Sequence, residues 1–151
     1  MAELKERLRA DLNAAMRARD QVRMRTLRLA LTSITNEEVA GASARDLTDD
    51  EVVRVLTREA RKRREAAEAF GAAGRSEQAA AERAEGEILA GYLPAQLSDD
   101  ELAALVDAAI AETGASGPSG LGQVMKTVTP RIAGRADGAR VAAEVRRRLT
   151  S

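Results

Sequence analysis

Two glycines in Gly117-Pro118-Ser119-Gly120-Leu121-Gly122-Gln123-Val124 have the spacing of a phosphate-cradling loop, the chain's clearest invitation to nucleotide chemistry. The other parts of such a loop are missing. Gln123 stands where a lysine would reach the phosphates, Val124 stands where a hydroxyl would hold magnesium, and no strand pattern precedes the loop. The stretch reads as a flexible loop entering a helix, with only the free amides of a helix start to offer an anion. The acidic clusters Asp49-Asp50-Glu51 and Asp99-Asp100-Glu101 fall at expected helix starts, where negative charge suits the helix dipole without any catalytic role. Lys126, the remaining candidate base, has no serine or tyrosine marked as its partner by spacing. The 151 residues contain no His and no Cys. Ser-His-Asp and Cys-His catalysis, imidazole or thiolate metal ligation and disulfides are thereby excluded. No metal, no cofactor and no catalytic residue is expected, and the default setting is the cytoplasm.

The elements that must position any site are helices. Ala supplies 32 residues, Leu 15 and Val 10, a composition of thin apolar stripes suited to closely packed helices. The apolar residues follow a 3.6-residue period, which predicts an all-α fold. Leu4, Leu8, Leu12 and Met16 mark a first helix near 3–19, and Met24, Leu27, Leu31 and Ile34 mark a second near 21–39, with Asp20 between them to end the one or cap the next. Thr48 to Glu51 and Ser98 to Glu101 have capping-box spacing and open a third and a fifth helix. The third carries Val52, Val55 and Leu56, then thins toward Phe70 and is expected to pack weakly there before Gly71 and Gly74 close it. A fourth, Ala- and Glu-rich helix spans about 76–90 and stops at Gly91-Tyr92-Leu93-Pro94. Gly114 ends the fifth helix; Leu121, Val124, Met125 and Val128 form a sixth that Pro130 ends or kinks, and Val141, Val145 and Leu149 form the last. Two domains are expected: an N-terminal helical domain of about four helices, 1–92, and a compact C-terminal three-helix domain, 97–151. No run approaches a membrane span, and Met1 to Arg7 lacks the apolar core of a signal peptide, so neither membrane attachment nor processing is expected.

Charge is balanced in total, 24 Lys+Arg against 24 Asp+Glu, and unbalanced in segments. Residues 17–28 hold five Arg and one Asp, and residues 54–64 hold six basic residues and one Glu. Residues 75–112 hold nine acids and two Arg, and residues 126–148 hold seven basic residues and two acids. Basic stretches can meet phosphate backbones by electrostatics alone, although i,i+4 pairs such as Arg61 with Glu65 also mark a solvated helix. With one Phe and one Tyr, base stacking on aromatics is excluded as the binding mode.

Several segments, in order and spanning nearly the whole chain, resemble the YqeY family: Leu8 to Asp20 followed by Arg23-Met24-Arg25-Thr26-Leu27-Arg28; Tyr92-Leu93-Pro94-Ala95-Gln96-Leu97-Ser98; Gly122-Gln123-Val124-Met125; and Gly134-Arg135-Ala136-Asp137-Gly138. The resemblance implies an N-terminal helical part and a C-terminal part similar to the tail of the B subunit of the tRNA-dependent amidotransferase. In that enzyme the tail lies against the tRNA body while the chemistry belongs to other domains and another subunit. The associated activity is that of a carbon–nitrogen ligase with glutamine as amido-N-donor. This sequence has neither the B subunit's catalytic domain nor the amidase Ser-Ser-Lys signature, so that activity is not expected of this chain alone.

What the resemblance transfers is a surface. Lys126, Arg131, Arg135 and Arg140 are the candidate RNA contacts. The turn-and-cap alternative stands beside them: Gly134 and Gly138 permit a tight turn, Asp137 caps the last helix, and Arg135 pairs locally. Gln123 replaces a lysine common in relatives and removes one phosphate contact. Tyr92 and Pro94 are read as packing between the two parts. The leading expectation is an accessory protein that binds tRNA, or a protein partner in translation or tRNA amidation. A helical protein–protein adaptor and the ligase activity are the alternatives, and oligomeric state is left open.

Overall fold

The computed structural model describes residues 2–150, and helices supply all of its regular structure, with no strand among those residues. Seven α-helices follow in order: α1 Glu3–Ala18, α2 Gln21–Glu38, α3 Asp49–Ala72, α4 Ser76–Ala90, α5 Asp99–Thr113, α6 Leu121–Ile132 and α7 Gly138–Thr150, with one 3-10 turn at Pro118–Gly120. None of the described helices is long and apolar enough to cross a membrane. The chain divides into two compact units, Met1–Leu93 and Pro94–Ser151.

In the N-terminal unit, Arg19 takes a left-handed conformation after α1, and Asp20 caps α2 by accepting the Arg23 amide. Two residues thus suffice to begin a new helix. Leu8, Leu27, Ile34, Val52 and Leu56 are fully buried between α1, α2 and α3. The apolar stripe of α1 is rotated from the expected one: Ala15 faces the core, whereas Met16 is 38% exposed. The capping box at Thr48 and Glu51 is present, and Arg45 adds an ion pair that, with the cap hydrogen bonds, holds the Glu51 carboxyl down at about 2. Gly71 does not close α3, which runs on to Ala72; the chain reverses at Gly74, whose φ of +75° favours glycine.

The second half of α3 is not weakly packed. Glu59 and Ala67 are buried along it, and Arg63 reaches across to Glu82 and Glu85 of α4. A Cβ on Gly86 would lie 3.5 Å from the Arg63 Cβ, so small residues on α4 admit the arginine stem. Tyr92 is buried in the core of this same unit, beside Leu89.

The C-terminal unit closes on Leu102, Val106, Val124, Val128, Ile132, Val141, Val145 and Leu149. Ser98 and Glu101 form the second capping box, and Gly114 ends α5 in a left-handed conformation. α6 continues through Pro130 to Ile132, because the missing amide of a proline so near the C-terminus removes only one intrahelical bond.

Candidate functional site

The four candidate RNA contacts all lie in the C-terminal unit, where α5 brings acids and α6, α7 and the turn between them bring cations. Lys126 is exposed on α6, and its side chain makes no hydrogen bond or ion pair among the described residues. Arg131 pairs with Glu112. The Arg135 Nε donates to the Ala95 carbonyl at 3.1 Å, and its guanidinium lies 3.8 Å from Glu101. Arg140 donates to Asp99 at 2.8 Å. Arg148, not among the candidates, pairs with Asp107 at 3.0 Å and repeats the pattern.

Arg135 and Arg140 therefore meet at the first turn of α5. Arg131 engages the other end, eleven residues on, about 16 Å away at 1.5 Å per residue. The fold brings two of the four together and separates the third. Seven of the 24 basic and seven of the 24 acidic residues belong to this unit, so the basic excess of 126–148 is cancelled by α5. The turn itself is structural as well: Gly134 has φ +80°, and Asp137, buried, caps α7 through the Arg140 amide at 3.0 Å.

The glycine loop is explained by backbone and packing. Gly117 has φ +69°, and a Cβ on Gly120 would fall 2.8 Å from the Ala115 Cβ. Nothing lies within 4 Å of a Cβ on Gly122, the second glycine of the phosphate-loop spacing.

The N-terminal unit holds charge differently. Lys5 and Glu38, both buried, are joined at 2.8 Å through both carboxylate oxygens, and the Leu47 amide donates to the same carboxylate. The Lys5 hydrogen bond holds Glu38 below its usual range against the cost of burial. A second network joins α2, α3 and α4: Ser33 and Lys62 donate to Glu59, Arg63 bridges Glu59 and Glu85, and Arg25 reaches Glu85 at 2.8 Å. Burial pushes Glu59 up, but the Ser33 and Lys62 hydrogen bonds and the nearby cations leave it lowered. Tyr92 donates to Asp11 at 2.5 Å under the Arg7 guanidinium, 4.7 Å from the ring centroid. Burial first, then Asp11, pushes its hydroxyl up to about 12. Pairs 33 to 81 residues apart, such as Lys5 with Glu38 and Asp11 with Tyr92, leave no local signal.

The arginines of 17–28 gather where α1 turns into α2. Arg17 and Arg19 are exposed, and their side chains make no hydrogen bond or ion pair among the described residues. The Arg28 guanidinium donates to the Met16 sulfur at 3.5 Å. Beside them, Gln21, Met24, Arg25, Arg28, Leu29 and Thr32 line a shallow concavity of about 380 Å³. The sequence signal for this cluster is the local excess of five Arg over one Asp, a charge imbalance without a motif.

The model of the family described as Yqey-like protein matches residues 5–149. No curated protein matches the chain.

Proposed function

This chain belongs to the YqeY-like family, and from that membership we propose that it is an accessory binding module for structured RNA, tRNA first. It acts through backbone electrostatics and without chemistry of its own, as two domains, 1–92 and 97–151. Lys126, Arg131, Arg135 and Arg140 are its C-terminal phosphate contacts.

The surface position of the inter-helix ion pairs carries this reading. The carboxylates of Asp99, Glu101, Asp107 and Glu112 are 98%, 55%, 52% and 57% exposed. Pairs so exposed are worth about 0–1 kcal/mol each, so a phosphate can replace the carboxylate without unfolding the unit. The likeness of the C-terminal motifs to the amidotransferase tail supports tRNA as the class of RNA.

Binding of deacylated tRNA measured across a salt series tests it. Affinity is expected to fall linearly with salt on logarithmic axes and to weaken in Arg135→Glu. Binding that is indifferent to salt, or unchanged in Arg135→Glu, refutes it.

A further inference from the structure

Resting on that reading, we infer that the α1–α2 corner of the N-terminal unit, built from Arg17, Arg19 and Arg28 with Arg25 beside them, is a binding site for the phosphodiester backbone of structured RNA. Five guanidinium groups lie within twelve residues, and their acidic company is slight. Asp20 lies 3.8 Å from Arg23 and is already committed as the α2 cap, while Glu85 serves Arg25. Arg17, Arg19 and Arg28 have no carboxylate partner among the described residues.

Ordinary helix electrostatics does not account for the arrangement. Cations suit the end of α1, where Arg17 lies, but are disfavoured in the first turns of α2. There Arg23 and Arg25 stand with no acid in the first turn. Thr26 and Leu27 take the buried side of α2, which turns Gln21, Arg25, Arg28 and Thr32 outward along one stripe. The Arg28 contact with Met16 ties that stripe to the end of α1 carrying Arg17 and Arg19.

The chemistry of the stripe selects the ligand. Guanidinium groups recognise phosphate bidentately, and amide and hydroxyl side chains complete contacts to phosphate and sugar. No carboxylate and no aromatic side chain lines the concavity, so the backbone is met and the bases are not stacked. Met24 and Leu29 offer aliphatic surface to the sugar face.

The test is binding of labelled deacylated tRNA to the full chain and to R17Q/R19Q/R28Q, with R75Q/R83Q as the control and far-UV circular dichroism to verify folding. The corner variant is expected to lose at least about tenfold in affinity, and its salt slope should fall by about one per arginine removed, while the control keeps both. R17K/R19K/R28K, which retains charge, should keep most of the slope. Wild-type affinity and slope in R17Q/R19Q/R28Q, with loss in Arg135→Glu, overturns the corner and leaves the RNA reading standing. A wild-type chain that binds no tRNA refutes both. Binding to phosphatidylserine vesicles in place of RNA, abolished in the same variant, overturns RNA in favour of an anionic membrane.

Discussion

The two units each carry equal numbers of acidic and basic side chains, yet among the described residues only the N-terminal unit buries ion-paired glutamates between its helices. In the N-terminal unit the carboxylates of Glu38, Glu59 and Glu85 are 11%, 7% and 7% exposed, clamped between helices by Lys5, Arg63 and Arg25. In the C-terminal unit the α5 carboxylates that meet α6 and α7 are all more than half exposed. A buried pair punishes any mispairing with an unsolvated charge and so specifies one helix register. An exposed pair tolerates exchange of its partner. The C-terminal pairs can therefore yield to another anion, whereas Lys5 and Arg63 cannot, and the N-terminal cations without a carboxylate partner among the described residues include Arg17, Arg19 and Arg28 at the α1–α2 corner.

The sharpest way to break this contrast is Lys5→Met, which strands the buried Glu38 carboxylate and should cost about 3–5 kcal/mol in denaturant unfolding. Adding Glu38→Gln should restore much of the loss. A cost in Lys5→Met below about 1 kcal/mol would mean that Glu38 is effectively solvated. Tyr92 is the sole tyrosine and lies in the N-terminal unit, so its fluorescence reports that unit while far-UV circular dichroism reports both.

Arg63→Gln comes next, at roughly 2–3 kcal/mol, because Glu59 and Glu85 lose a shared cation in a buried setting. In the C-terminal unit the sensitive element is backbone, not charge. Gly120→Ala should cost about 1–2 kcal/mol by forcing a Cβ against Ala115, read as a lower midpoint by circular dichroism with the Tyr92 transition unmoved. Arg140→Gln should cost less than about 1 kcal/mol. If Arg140→Gln matched Arg63→Gln, the distinction between buried and exposed pairing would be lost.

The pH dependence sharpens the same comparison. Glu38 and Glu59 in one unit and Glu101 and Glu144 in the other are all lowered from 4.5 by hydrogen bonds and cations, with burial working against them. Their contribution is present above that value and drains away as pH falls, so acid weakens both units. Alkali separates them. The Tyr92 hydroxyl is raised from 10.0 to about 12, so its contribution is full below pH 10 and is lost as pH climbs toward 12. Only the N-terminal unit contains such a group, and an alkaline titration of tyrosinate absorbance checks it. Purified chain is expected to release no ammonia from glutamine, which an enzymatic ammonia assay decides.

Much of the fold was legible because its signals are local. The capping boxes at Thr48 and Ser98, the Asp20 cap and the stripes through Leu27, Val124 and Val145 involve residues within one or two turns of each other. Gly71 misled, since a glycine is tolerated inside a helix once tertiary packing outweighs a propensity penalty of about 1 kcal/mol, and of the two readings at Pro130 the structure overturns only the one that ends α6 there. The second half of α3 misled for a different reason. Its partner is a polar network, and periodicity counts only apolar residues. Tyr92, expected between the two parts, has its hydroxyl partner on α1 and its neighbours in the N-terminal core.

The sequence by itself determined that the chain is helical, that imidazole and thiol chemistry are absent, where most helices begin, and that charge is segregated along the chain. Only the tertiary structure decided what that segregation means. Coulomb energy depends on distance in space and on solvent exposure, neither of which follows from order along a chain. Folding sets the acids of α5 against the arginines of α6 and α7 and erases the basic excess of 126–148. It buries Glu38, Glu59 and Glu85 against cations from distant segments, and it leaves Arg17, Arg19 and Arg28 at one corner with no carboxylate partner among the described residues.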